Sequence, residues 1–167
     1  MPTPQADHHT LLDLPPPRRA WLPIAAIAFL LATVDLIFAC SYWQRLYGLP
    51  PSRLVQNIAS GLLGKAAFAG GSNTVLLGLL LQYAMMSVMV GVYYLLSRRF
   101  AGLRRYPWRY GSLYGVMLYI VMNDIVLPLS AAPKAPFVMS WIFASIVMHV
   151  LIGLASAHSA RWAASRG

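Results

Sequence analysis

Four uninterrupted apolar stretches divide this chain, and each is long enough to cross a bilayer. They run over about residues 20–42, 74–97, 110–130 and 137–158. A helix rises ~1.5 Å per residue, so roughly 20 apolar residues span a hydrocarbon core of ~30 Å. Hydrocarbon offers no partner to a backbone N–H or C=O, so only helices and closed barrels cross it. These runs lack the alternation of a barrel strand. The expected fold is therefore all-α, an integral membrane four-helix bundle occupying residues 20–158. Composition agrees: 59% of the 167 residues are hydrophobic and 10% are charged, against about 25% charge in ordinary soluble domains. A soluble globule of this size buries only about 70% of its unfolded surface and could not hide so much apolar area.

The formal net charge of +9 would suggest nucleic acid in a soluble protein. Here the basic residues stand between the apolar runs, where they encode orientation, and no nucleic-acid partner is expected. Arg18 and Arg19 precede the first span. Arg98, Arg99, Arg104, Arg105 and Arg109 lie between the second and third, and Arg161 and Arg166 follow the fourth. These nine share one side of a four-span chain, and Arg45, Arg53, Lys65 and Lys134 share the other. Nine against four puts both termini in the cytoplasm of a bacterial inner membrane. The five tryptophans, Trp21, Trp43, Trp108, Trp141 and Trp162, fall near span ends, as an interfacial belt requires.

Residues 1–19 are Pro-rich and without periodicity, and read as a flexible cytoplasmic tail. Residues 159–167 read as a cytoplasmic tail. His8 and His9 beside Asp7 could touch a metal, although paired histidines in a tail commonly have no such role. The Arg18-Arg19 pair and the Ile37–Cys40 run loosely resemble export signals. Asp35 interrupts that apolar run and Phe38 is bulky, so a retained span is expected. Cys40 is the single cysteine, which excludes an intrachain disulfide and a paired-cysteine metal or redox site.

The connection from Trp43 to Asn73 is long for so short a chain. Pro50-Pro51-Ser52 forms a helix start, followed by Leu54, Val55, Ile58, Leu62 and Phe68 near helical spacing with polar residues between them. The pattern predicts an additional amphipathic surface helix between spans one and two. It serves either as a cap on the bundle or as a lid or re-entrant element over a site. Gly61 and Gly64 would allow it close packing.

Polar residues inside the membrane are costly and normally face the protein interior. Asp35, Gln82, Asn123 and Asp124 all fall roughly 10–12 Å below the outer surface by helix rise, and His149 falls nearer the middle. In span one, Ala25, Ala28, Ala32, Asp35, Ala39 and Tyr42 recur at steps of three and four. In span four, Trp141, Ser145, His149, Gly153 and Ala157 recur every four residues. Both read as small-residue packing seams, as does Gly111-x-x-x-Gly115 in span three. Pro128 has no N–H, which is expected to free the carbonyl of Asp124 four residues earlier. Such oxygen clusters at broken membrane helices hold cations or protons. Asp35, Gln82, Asn123, Asp124 and His149 are accordingly the candidate intramembrane polar site. The alternative is structural: the two acids are protonated, bond to other spans, or pair with Arg45, Arg53 or Lys65.

Met85, Met86 and Met89 could offer thioethers to cuprous copper, but methionine also fills gaps in ordinary cores, and no metal or other cofactor is expected. No phosphate loop, dinucleotide fingerprint, GxSxG or HExxH occurs, so no enzymatic activity is expected. The expected partners are the lipid bilayer and either a second copy or another membrane protein.

The run Asn57–Gly71, NIASGLLGKAAFAGG, and the run Val121–Pro133, VMNDIVLPLSAAP, resemble a family of bacterial four-span inner-membrane proteins without established activity. They are distantly similar to YagU-type inner-membrane proteins. The likeness covers roughly residues 35–158. It implies a multi-pass inner-membrane location, and a role in envelope or acid-stress physiology. Relatives carry a His at the position of Gln82, so a Gln82/His149 pair does not transfer from the family. A small proton- or cation-coupled transporter or channel using the Asp/Asn/Gln layer is the alternative function.

Overall fold

A computed structural model describes residues 21–134 and 136–165. The sequence readings of the N-terminal tail, including His8 and His9, lie outside the described residues. The described chain is helical, with no strand among the described residues. Four helices are long and apolar enough to cross a membrane: Trp21–Tyr47, Gly71–Arg99, Pro107–Leu129 and Met139–Ala164. The chain is a multi-pass helical bundle.

The first span is α1 (Trp21–Tyr47). It stops at Gly48, whose φ of +64° suits a residue without a Cβ. The Gly48 N–H donates to the Gln44 carbonyl and the Leu49 N–H to the Trp43 carbonyl, which satisfies the last turn. Pro50 and Pro51 then launch α2 (Pro51–Leu63), since proline at the first helical position loses no ladder bond. A 3₁₀ turn (Gly64–Ala69) leads into the second span, α3 (Gly71–Arg99). A short α4 (Ala101–Arg105) carries part of the arginine cluster. The third span is composite: α5 (Pro107–Ile120), a π-helical turn (Val121–Val126) and α6 (Leu127–Leu129). The fourth is α7 (Met139–Ala164).

α7 is the centre of the bundle, packing on α1, α3, α4 and most extensively on α5. The α5–α7 contact is close because neither helix has side chains where they meet. A Cβ on Gly115 would stand 2.4 Å from the His149 carbonyl oxygen, and one on Gly153 would stand 2.2 Å from that of Gly111. The seam in span four holds, with Ser145, Gly153 and Ala157 buried. In span one it holds in part. Ala28 and Ala32 are buried, but Ala25 is exposed and Ile24 takes the inner position. Position 24 lies a full turn from Ala28, so it shares that face, whereas a step of three drifts off a straight helix's face.

The apolar core lies toward the α4 end. Tyr93, Tyr94, Tyr114 and Leu118 interlock there with Val90, Ile152 and Ala157. The Tyr114 hydroxyl donates to the Met89 carbonyl at 2.7 Å and the Tyr93 hydroxyl to the Leu103 carbonyl at 3.1 Å. Their rings meet edge to face at 5.0 Å. This end of the bundle is closed.

The opposite end is shaped by α2, which docks against α3 and does not merely lie beside the bundle. Gly78 is the contact, where a Cβ would come within 2.1 Å of the Val55 carbonyl oxygen. The docked face carries Val55, Gln56, Ala59 and Ser60, while Leu62 is left exposed. This departs from the apolar face read from the sequence, because close approach favours small residues and a satisfied polar one. Gln56 Nε2 donates to Thr74 Oγ1 and to the Gly71 carbonyl, both at 3.2 Å. Gly61 and Gly64 face the loop after the third span, where the Ala131 N–H donates to the Gly61 carbonyl at 2.9 Å.

Replacing Gly115 with Val should lower stability by about 1–3 kcal/mol by forcing α5 from α7. Gly91, beside which a Cβ would meet nothing within 4 Å, serves as control. Gly91→Ala should be neutral or stabilising by about 0.5–1 kcal/mol. Thermal unfolding of the purified variants in one detergent checks both, and equal midpoints for Gly115→Val and the parent would refute the close-packing account.

Candidate functional site: a polar cavity between the spans

Between the tyrosine core and the α2 end the helices separate. A cavity of about 1010 Å³ opens there, lined by α1, α2, α7, the third span and the 133–138 loop. A smaller one of about 270 Å³ adjoins it, reaching Met85, Met86 and Met89. Asp35, Gln82, Asn123, Ser145 and His149 line both cavities. One polar group from each of the four spans therefore reaches one place, and Ser145 adds a second from the fourth.

Asp35 and Gln82 are bonded directly, Gln82 Nε2 donating to Asp35 Oδ2 at 2.8 Å. The two helices thus stand level at this point. The bond occupies one carboxyl oxygen and leaves Oδ1 and the Gln82 carbonyl oxygen with acceptor capacity. Asp35 is half-buried, and His149 lies close enough to interact with it electrostatically.

His149 is oriented by its own helix. Its Nδ1 lies 2.8 Å from the Ser145 carbonyl oxygen. A carbonyl only accepts, so Nδ1 carries the proton, and in the neutral ring Nε2 is the acceptor. The Tyr119 ring meets the imidazole edge to face, at 5.6 Å and 87°. That contact fixes the plane of the ring without using its nitrogens.

The third span delivers Asn123 and withholds Asp124. The Leu127 N–H donates to the Met122 carbonyl, five residues back, so the ladder has slipped into π register. Pro128 cannot donate the next bond, and in this register the carbonyl five residues before it belongs to Asn123. The wide turn directs Asn123 inward, where its Nδ2 donates to the Tyr119 carbonyl at 2.9 Å and its Oδ1 remains an acceptor. Asp124 is exposed and lines neither cavity. Neighbouring residues on a helix point about 100° apart, so adjacency in sequence does not by itself bring Asp124 to the cavity with Asn123.

Asp35 does not reach Arg45, Arg53 or Lys65 for a partner, since Gln82 fills that role. Arg53 is held at the cavity rim by the Phe68 carbonyl at 2.8 Å, with its guanidinium 5.0 Å from the Phe68 ring centre. Above Asp35 the wall is aromatic. Trp141 lies 5.4 Å from Trp43, 5.0 Å from Tyr42 and 6.3 Å from Phe38, the last stacked at 17°. Sequence reading took Trp43 for an interfacial anchor and Trp141 for an anchor and a member of the span-four seam, neither for a cavity wall. Their signal as cavity walls was the spacing of Phe38, Tyr42 and Trp43 just after Asp35 on the same helix. Among the described residues, no group of three or more His, Cys, Asp or Glu side chains is placed to hold a metal ion. Comparison with family models, curated proteins and solved structures found no match.

Gln82→Leu removes the donor and leaves a half-buried carboxyl without its partner, so it should cost about 1–3 kcal/mol. Replacing both residues (Asp35→Leu with Gln82→Leu) should cost less than the sum of the single changes. A double-mutant cycle by chemical denaturation in detergent measures this, and strictly additive losses would show that the bond contributes nothing.

Proposed function

We propose that this chain is a small inner-membrane carrier that receives a solute from the outer side and couples its binding to a proton, without enzymatic chemistry. The observation that carries the reading is the convergence of Asp35, Gln82, Asn123 and His149 on one cavity of about 1010 Å³. That volume is at the upper end of small-molecule sites, which are about 300–1,000 Å³. Ionisable groups kept at membrane depth mark substrate and proton pathways. Thr33, Ser87, Ser112 and Ser156 are bonded within their own helices, and Asp124 is exposed away from the cavity. Asp35, Gln82, Asn123 and His149 retain unused acceptor capacity toward an open space.

The spare oxygen of Asp35 and the Nε2 of His149 are two proton acceptors on one cavity wall. A proton arriving on either changes the charge of the wall and therefore the affinity for a charged solute. The tyrosine core favours a carrier over an open channel, because Tyr93, Tyr114 and Leu118 are buried against one another between the spans. The charge distribution of the sequence supports an outward-facing cavity with both termini cytoplasmic. The envelope or acid-stress role implied by the YagU-type resemblance agrees with a proton-responsive site on that side.

In proteoliposomes carrying a trapped pH dye and an imposed membrane potential, the protein should take up protons faster than empty liposomes. Asp35→Asn should reduce that uptake at least tenfold. Equal rates for Asp35→Asn and the parent would remove the reading.

Orientation is tested separately in a Cys40→Ser background. An impermeant maleimide should label Ser52→Cys in intact spheroplasts, and Ala101→Cys only after permeabilisation. The reverse pattern would invert the topology.

A further inference from the structure

We propose that the cavity holds a monovalent organic cation with a bulky apolar or aromatic body, its charge against Asp35 and its body among the rings of α1 and α7. This rests on the carrier reading above and names the class of solute that the same site takes.

Among the described residues Asp35 is the one carboxyl in the cavity wall, and Gln82 occupies only one of its oxygens. Desolvated charge attracts strongly, whereas exposed charge is screened over roughly 8 Å in physiological salt. Arg53 and Lys134, the two cations at the rim, are exposed. Arg53 is moreover committed to the Phe68 carbonyl and ring. The half-buried carboxyl therefore dominates the field inside, and a cation is favoured over an anion.

The remaining wall decides what kind of cation. A bare metal ion needs several converging ligands, and the described residues hold no group of three acidic, His or Cys side chains. The volume is also far larger than an inorganic ion fills. Phe38, Trp43 and Trp141 instead line the cavity as a cluster of rings, with Trp141 5.4 Å from Trp43 and 6.3 Å from Phe38. Ring faces carry negative potential and attract ammonium-type cations, tryptophan most strongly. The Arg53–Phe68 pair in the same wall is an intramolecular instance of that contact. An organic monocation matches all three features: one charge, an aromatic lining and a large space.

Tetraphenylphosphonium and tetraphenylborate share size and shape and differ in sign, so they test the assignment directly. Equilibrium dialysis of the purified full-length protein in detergent should show saturable binding of the phosphonium and none of the borate. Asp35→Asn, whose amide oxygen can still accept from Gln82, should weaken phosphonium binding at least tenfold. Trp141→Leu should weaken it at least threefold. If Asp35→Asn does not fold, Trp141→Leu and Trp43→Leu carry the test. Saturable borate binding of equal strength, or unchanged phosphonium affinity in the Asp35 and Trp141 variants, would overturn the proposal. No phosphonium binding alongside intact Asp35-dependent proton uptake overturns the cation assignment and leaves the carrier reading standing. Asp35-dependent phosphonium binding without proton uptake overturns the carrier reading and supports the cation site.

Discussion

Hydrocarbon cannot accept or donate a hydrogen bond, and each polar choice in this molecule follows from that. Along the spans, polar side chains return to their own helix. Thr33 donates to the Phe29 carbonyl, Ser87 to Tyr83, Ser112 to Trp108 and Ser156 to Ile152, each four residues back. No buried side-chain polar atom among the described residues lacks a partner. Against that background of complete satisfaction, the residues with spare capacity stand out. Asp35, Gln82, Asn123 and His149 are gathered on one cavity, while Asp124 is exposed away from it.

The bundle achieves this by being tight at one end and open at the other. Glycine contacts between α5 and α7 draw the third and fourth spans together, and interlocked tyrosines close the α4 end. At the far end α2 docks on Gly78 and holds the mouth apart, with aromatic rings from α1 and α7 between the mouth and Asp35. Close packing and cavity are linked. The Gly115 contact with the His149 carbonyl sets the height of the residue whose imidazole lines the site.

Much of this was legible beforehand. Span existence followed from run length, and the Gly111/Gly115 and span-four seams followed from spacing. Asp35, Gln82, Asn123 and His149 were singled out simply because they are polar at membrane depth. The misreadings share a cause. Asp124 was grouped with Asn123 because the two are adjacent in sequence and depth, but facing is an angle, and a π turn alters it. Gly78 carried no signal, since a lone glycine in an apolar helix is common. The docked face of α2 was not read from the sequence either, since the contact selects for small size and for the satisfied amide of Gln56 rather than for the apolar residues of the surface-helix pattern.

What the amino-acid order determined unaided was solvent and span: four rods that only lipid can surround, with the scarce polar groups confined to particular depths. Depth is a one-dimensional quantity, counted along a helix at a fixed rise, so a linear sequence contains it. Which side chains meet is a matter of rotation and of distance between helices, set jointly by residues far apart in the chain. Only the folded bundle could therefore bond Gln82 to Asp35, turn Asp124 away, and build an aromatic-walled cavity above a single carboxyl.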